Sequence, residues 1–319
     1  MLLASMVIIV GLILLVWSAD RFIEGASGIA KNFQIPPMVI GLTIVSLCTS
    51  LPEMLVAAIA ATEGNNNLGI GNAIGSNIAN IGLVLGLTAL IAPIAVQSKL
   101  LKREFPVLVA IMLLALFLML DGSLGYIDGI VLLVSFFLFV WWLYGVGMKE
   151  RDAVLEAEFK EAIPEGMRLS VALMWLFVGI SVLLLSSRMV VWGAVEVATF
   201  LGVSDLVIGL TIVAVGTSLP ELVASIASVL KNESELAIGN VLGSNMFNIL
   251  AVLTMPALIS PGDFDTSILW RDIPIMFGFA LALFVIVYGY KRVGKINRIA
   301  GGVLLTSFSA YLYLLYLQN

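Results

Sequence analysis

The sequence predicts an all-α polytopic membrane protein: ten transmembrane helices arranged as two inverted-topology repeats of five, with helices broken near the midplane. Three observations predict it. Of 319 residues, 61% are hydrophobic and only 12% charged, with a mean hydropathy of +1.11, which no soluble domain shares. Apolar blocks longer than the roughly 18 residues needed to cross a bilayer recur along the whole length. The second half also repeats the first in a constant register, which lays Val39 on Val207 and Ile81 on Ile249.

The candidate spans centre near residues 10, 49, 80, 111, 136, 180, 217, 246, 280 and 306. The first block, Leu2 to Val16, lacks the basic segment and small-residue cleavage site of a signal peptide and is read as a transmembrane helix. Short cytoplasmic loops carry the excess of lysine and arginine. With both termini outside, the inner loops hold Arg21, Lys31, Lys99, Lys102, Arg103, Lys149, Arg151, Lys160, Arg168, Lys231, Lys291, Arg292, Lys295 and Arg298. Only Arg188 and Arg271, of 16 basic residues, are then outside. Both termini are therefore expected to be extracytoplasmic in a plasma membrane. The net charge of −5 adds nothing to this rule.

The duplication is explicit. VIGLTIVSLCTSLPE (Val39 to Glu53) matches VIGLTIVAVGTSLPE (Val207 to Glu221) at 12 of 15 positions, and LGIGNAIGSNIANI (Leu68 to Ile81) matches LAIGNVLGSNMFNI (Leu236 to Ile249) at 9 of 14. The repeats are expected over 1–147 and 169–319, with motifs at about 39–81 and 207–249, joined by a short cytoplasmic loop at 148–168. An odd number of spans per copy inserts the second copy upside down, an arrangement of secondary transporters with the substrate site where the repeats meet.

Glu53 is the only charged residue between Pro36 and Thr62, and Glu221 the only one between Leu206 and Leu230. A charge at membrane depth costs about 3 kcal/mol on insertion scales, so it faces a partner or a wet cavity. Two matched acids near a pseudo-twofold axis repel unless they take up protons or hold a cation. Pro52 and Pro220 lack an amide hydrogen, which deprives carbonyls around Ser46 to Thr49 and Ala214 to Thr217 of helical partners. Thr49, Ser50, Thr217 and Ser218 add hydroxyls at the break, where Cys48 stands in place of Gly216. Ser76 and Asn80, and likewise Ser244 and Asn248, are four apart and share a helical face, extended by Asn72 and Asn240. Gly71 with Gly75, and Gly239 with Gly243, have the small-xxx-small spacing of close helix contacts. No histidine and a single cysteine exclude imidazole ligation, thiolate clusters and a disulfide framework. About 6 to 8 oxygens are what Ca2+ takes, and Na+ can share them.

These paired segments resemble the two alpha-repeats of the cation/Ca2+ exchanger superfamily, in its bacterial calcium/sodium antiporter branch. The resemblance implies Ca2+/Na+ exchange by alternating access, in the direction of Ca2+ extrusion, with spans one and six sliding past a core of spans two, three, seven and eight. It implies Glu53 and Glu221 as central ligands, carbonyls of Ser46, Thr49, Ala214 and Thr217, hydroxyls of Ser50, Ser218, Ser76 and Ser244, and Asn80 and Asn248 flanking the centre. Members often carry an aspartate at a flanking position, where this chain has asparagine. The implied partners are Ca2+, Na+ and the lipid bilayer; no enzymatic activity, resident cofactor, nucleic acid or protein partner is expected. A Ca2+/H+ antiporter would use the same acids, and a passive channel fits inverted repeats less well. Asp20 and Glu24 read as interfacial, with a gating role as the alternative, their counterparts being Arg188 and Trp192.

Overall fold

The computed structural model describes residues 2–158, 167–201, 214–288 and 293–318. Part of the second motif, 207–213, lies outside the described residues, as do Lys160, Lys291 and Arg292. The chain opens with α1 (Leu2–Phe33). A bent pair, α2 (Pro37–Thr49) and α3 (Leu51–Thr62), follows with an angle of 41°. Then come α4 (Asn66–Ile91), α5 (Ser98–Met119) and α6 (Tyr126–Glu158). The second half repeats the order with α7 (Leu169–Phe200), α8 (Ala214–Thr217), α9 (Leu219–Leu230), α10 (Ser234–Ile259), α11 (Ile268–Val287) and α12 (Arg298–Gln318).

Among the described residues, seven helices are long and apolar enough to cross a membrane, eight when α2 and α3 count as one span. The expected spans near 111 and 217 are not in that number. In α5 the first turns carry Lys99, Lys102, Arg103 and Glu104, which leaves a shorter apolar run. In the other, the 12 residues of α9 follow the undescribed stretch 202–213.

Two expectations are corrected. The chain is not purely helical: β1 (Ile94–Gln97) pairs antiparallel with β4 (Val293–Ile296), and β2 (Ser123–Leu124) with β3 (Gly262–Asp263). These ribbons satisfy backbone groups in loops that the apolar pattern could only show as gaps. The segment expected as a loop at 148–168 is helical as far as Glu158, because α6 continues through KERDAVLEAE, rich in Glu, Ala and Leu. The stretch 159–166 of that loop lies outside the described residues.

Packing divides the molecule into two bodies. One apolar cluster joins α4 and α10 to the helices around them, through residues such as Ile74, Ile78, Val241 and Met246. The other joins α1 to α7 through Leu15, Phe22, Leu176 and Leu183, and meets the first body at Ile40, Val45, Ala224 and Leu236. Glycine sets the α1–α7 distance. A Cβ on Gly25 would lie 2.7 Å from the Ala172 carbonyl oxygen, and one on Gly193 2.9 Å from that of Ala4, so the two backbones touch. The repeat register lays Gly25 on Gly193 and Gly11 on Gly179, all four in this seam, whereas Gly28, which packs on Ala172, has Glu196 as its counterpart.

Candidate cation site

Both glutamates sit in the first turn of a helix that restarts after a break. Ser50 (φ −82°, ψ 2°) separates α2 from α3, and Ser218 (φ −88°, ψ 6°) separates α8 from α9. Pro52 and Pro220 occupy the opening turn, where a missing N–H leaves no bond unmade inside the new helix. The positive end of each helix then points at its own carboxylate. Glu53 and Glu221 are each 1% exposed and lie within electrostatic reach of each other.

The far wall is brought up by backbone contact. α2 crosses α10 where a Cβ on Gly41 would meet the Gly239 Cα at 3.0 Å, and Gly243 packs on Ser46. This crossing delivers Thr49 to the polar stripe of α10: its hydroxyl is 3.1 Å from Asn240 Oδ1 and 3.5 Å from Ser244 Oγ. Ser50 Oγ donates to Glu221 Oε1 at 3.4 Å. Asn72 and Asn240 have matching tasks, donating to the backbone carbonyls of Glu53 (3.2 Å) and Glu221 (3.3 Å). Asn80 Nδ2 donates to Asn245 Oδ1 at 3.0 Å.

What is left over matters most. Glu53 Oε2, Glu221 Oε2, Ser218 Oγ, Asn80 Oδ1, Asn77 Oδ1 and Asn248 Oδ1 are buried with no hydrogen-bond partner. Buried oxygens of this kind carry the full cost of desolvation; a hard cation at the centre would satisfy them. Among the described residues no group of three or more acidic, cysteine or histidine side chains assembles, so two carboxylates and neutral oxygens are the available donors.

The expected ligands separate into three groups. Thr49 is hydrogen-bonded to Ser244 and Ser50 to Glu221, with Glu53 within electrostatic reach of Glu221, while Ser218 at the break, Ser76 and Asn80 on α4 and Asn248 on α10 are buried. Ala214 and Thr217 form α8 beside the break. The Ser46 carbonyl accepts from the Ser50 N–H at 2.9 Å and the Thr49 hydroxyl at 3.3 Å, and the Ser46 hydroxyl donates to the Thr43 carbonyl. The carbonyl deprived of an N–H by Pro52 is that of Cys48, four positions before the proline. Its twin on Gly216 accepts from Ser187 Oγ of α7 at 3.1 Å.

Sequence reasoning missed Asn77, Asn245, Ser187 and Ser225. The asparagines stand in the GSN identity shared by both motifs and were legible there. Ser225, which accepts from Asn240 Nδ2 at 3.1 Å, and Ser187 are matched by Ala57 and Ala19 in the first copy, so duplication gave no signal for them.

The family model described as sodium/calcium exchanger protein matches residues 3–145 and again 171–317, one match per half. CaxA of Alkalimonas amylolytica, described as a putative antiporter, is 47% identical over 317 residues, covering 99% of both chains. The inner membrane protein YrbG of Escherichia coli K12 is 40% identical over 322 residues, covering 99% of this chain and 98% of its own. The solved structure of the sodium-calcium exchanger NCX_Mj, soaked with 2.5 mM Na+ and 0.1 mM Ca2+, superposes with a TM-score of 0.83 at 32% identity over 98% of each chain. A bundle of apolar helices, two buried acids ringed by neutral oxygens, and a family match over both halves agree: this chain is a multi-pass membrane transporter belonging to the sodium/calcium exchanger family.

Proposed function

We propose that the protein exchanges Ca2+ for Na+ across a bacterial inner membrane by alternating access, moving Ca2+ outward, with Glu53 and Glu221 as the central ligands. The observation that carries this reading is the pair of facing carboxylates, each with a buried, unpartnered oxygen. With Asn80 and Asn248 neutral, the site holds at most two negative charges, enough to neutralise one Ca2+ or two Na+. Competition for the same two charges couples the fluxes: an ion of either kind must leave before the other binds. The loading of the site by either ion lifts the repulsion between the acids, and α1 and α7 then slide along the core.

Ten crossings in two inverted repeats are supported by strand parity. Hydrogen-bonded strands lie on one face of a membrane, so an even number of crossings separates them. Between β2 and β3 stand α6, α7, the α8–α9 segment and α10; without a crossing by α8–α9 the number would be odd. The repeat register lays β1 on β3 and β2 close to β4, so the two ribbons are twins on opposite faces. The basic loops around β1 and β4 support a cytoplasmic ribbon there and extracytoplasmic termini.

Purified protein in vesicles tests the coupling. Internal Na+ is expected to drive Ca2+ uptake. Uptake driven by a proton gradient alone would indicate a Ca2+/H+ antiporter, and flux without either gradient a channel.

A further inference from the structure

α1 and α7 are bound to each other by their glycine seam, yet they meet the core mostly through apolar side chains, which leave sliding nearly free. One charged contact crosses that boundary among the described residues: Lys231 Nζ lies 2.8 Å from Asp20 Oδ1. Asp20 belongs to α1 and Lys231 ends α9, part of the core. Asp20 also has Arg21 at 3.8 Å, but Arg21 itself is held by Glu24 at 2.5 Å and lies over the Trp175 ring at 5.0 Å, so Lys231 is the partner from outside the pair of helices.

The repeat register carries Asp20 to Arg188 and Lys231 to Glu63. The duplicated pair is present with its signs exchanged. Glu63 ends α3 with φ −86° and ψ 0°, Lys231 ends α9 with φ −88° and ψ 8°, so the two occupy the same structural position. A lysine there suits the negative end of a helix, whereas a glutamate opposes it; Glu63 has no local reason for its charge. Among the described residues neither Glu63 nor Arg188 makes an ion pair, and both are exposed.

We propose that Asp20–Lys231 and Arg188–Glu63 are alternating latches, one on each face, each closing in the state where the other is open. In inverted repeats the second facing state is reached when the two halves exchange conformations. The contact seen in one half is then made by its twin in the other. The structure, with Asp20–Lys231 formed, is the state closed to the cytoplasm. The latches are positioning residues: they touch no ion and set the balance of the two facing states.

This rests on the exchange reading above, and the test separates the two. In vesicles of known orientation, Asp20→Asn is expected to lower the half-saturating Ca2+ on the cytoplasmic face and raise it on the outer face by about twofold to fivefold, the range for a part-exposed ion pair. Glu63→Gln is expected to shift both in the opposite directions. Asp20→Lys combined with Lys231→Asp is expected to restore the wild-type balance, which Asp20→Lys alone does not. A second measurement needs no transport: spin labels on cysteines at the exposed positions Phe33 and Leu230, in a Cys48→Ala background, report the α1–α9 distance. Its long-distance population is expected to rise with Asp20→Asn and fall with Glu63→Gln. Shifts of one sign in both variants, or none, overturn the latches whatever ion is carried; wild-type protein that moves no Ca2+ overturns only the exchange reading.

Discussion

Glu53 and Glu221 are each buried and neither has a cationic partner among the described side chains, so the proposed cation would supply the missing counter-charge. Glu53→Gln or Glu221→Gln is expected to reduce Ca2+ uptake in vesicles to background while the protein still elutes as a folded species, because the amide keeps the shape and removes the charge. The sign of the pH effect follows. A protonated carboxyl is neutral and cannot hold the cation, so half-saturating Ca2+ is expected to rise as pH falls, with the rate at saturating Ca2+ less affected; a titration of initial rates checks this. Asn240→Ala strips a donor from the Glu221 carbonyl and from Ser225, and an acceptor from Thr49. A loss of about 1–3 kcal/mol in stability is expected, read as a lower melting temperature in detergent. The two acids were legible in the sequence because charge inside an apolar run is costly and thus conspicuous. Which carbonyl the proline releases was less legible: Pro52 removes the N–H that would reach Cys48, a position the sequence brackets only within Ser46 to Thr49.

At the level of elements, a third duplicated motif follows the other two. Arg103 and Glu104 open α5, Arg271 and Asp272 open α11, and Pro106 and Pro274 follow at the same interval. Both acids are buried and each is paired with its neighbouring arginine. The second copy adds Tyr311, whose hydroxyl donates to Asp272 Oδ1 at 3.0 Å, where the first has Leu143. Tyr311→Phe is therefore expected to cost about 1–3 kcal/mol of stability, again seen in thermal unfolding. Nearby, Asp265 accepts from the Ser267 backbone N–H at 2.8 Å at the start of α11, and this bond holds its carboxyl below the usual range. Such a group stabilises the fold above the unfolded pKa and loses its contribution as pH falls through the lower folded value. The motif was harder to see than the acids of the site because its charges lie at the ends of spans, where charge is ordinary.

For the whole molecule, the apolar pattern announced a membrane bundle, and the constant register between the halves announced its doubling. The ribbons joining the halves were invisible, since two to four residues of strand carry too little alternation to stand out. They also make orientation testable. A cysteine replacing Asp263 is expected to react with an impermeant thiol reagent from outside intact cells, and one replacing Lys295 only after the membrane is opened, both in a Cys48→Ala background. The ribbons have a mechanical consequence as well. Each joins a strand of one half to a strand of the other, and in the proposed topology the two lie on opposite faces, so the halves are stitched together above and below. Neither can rock as a block against its twin without tearing a seam. In the proposed exchange the moving part is thereby reduced to the single piece left unsewn, the glycine-laced α1–α7 pair, sliding past a stationary site like a bolt in a fixed housing.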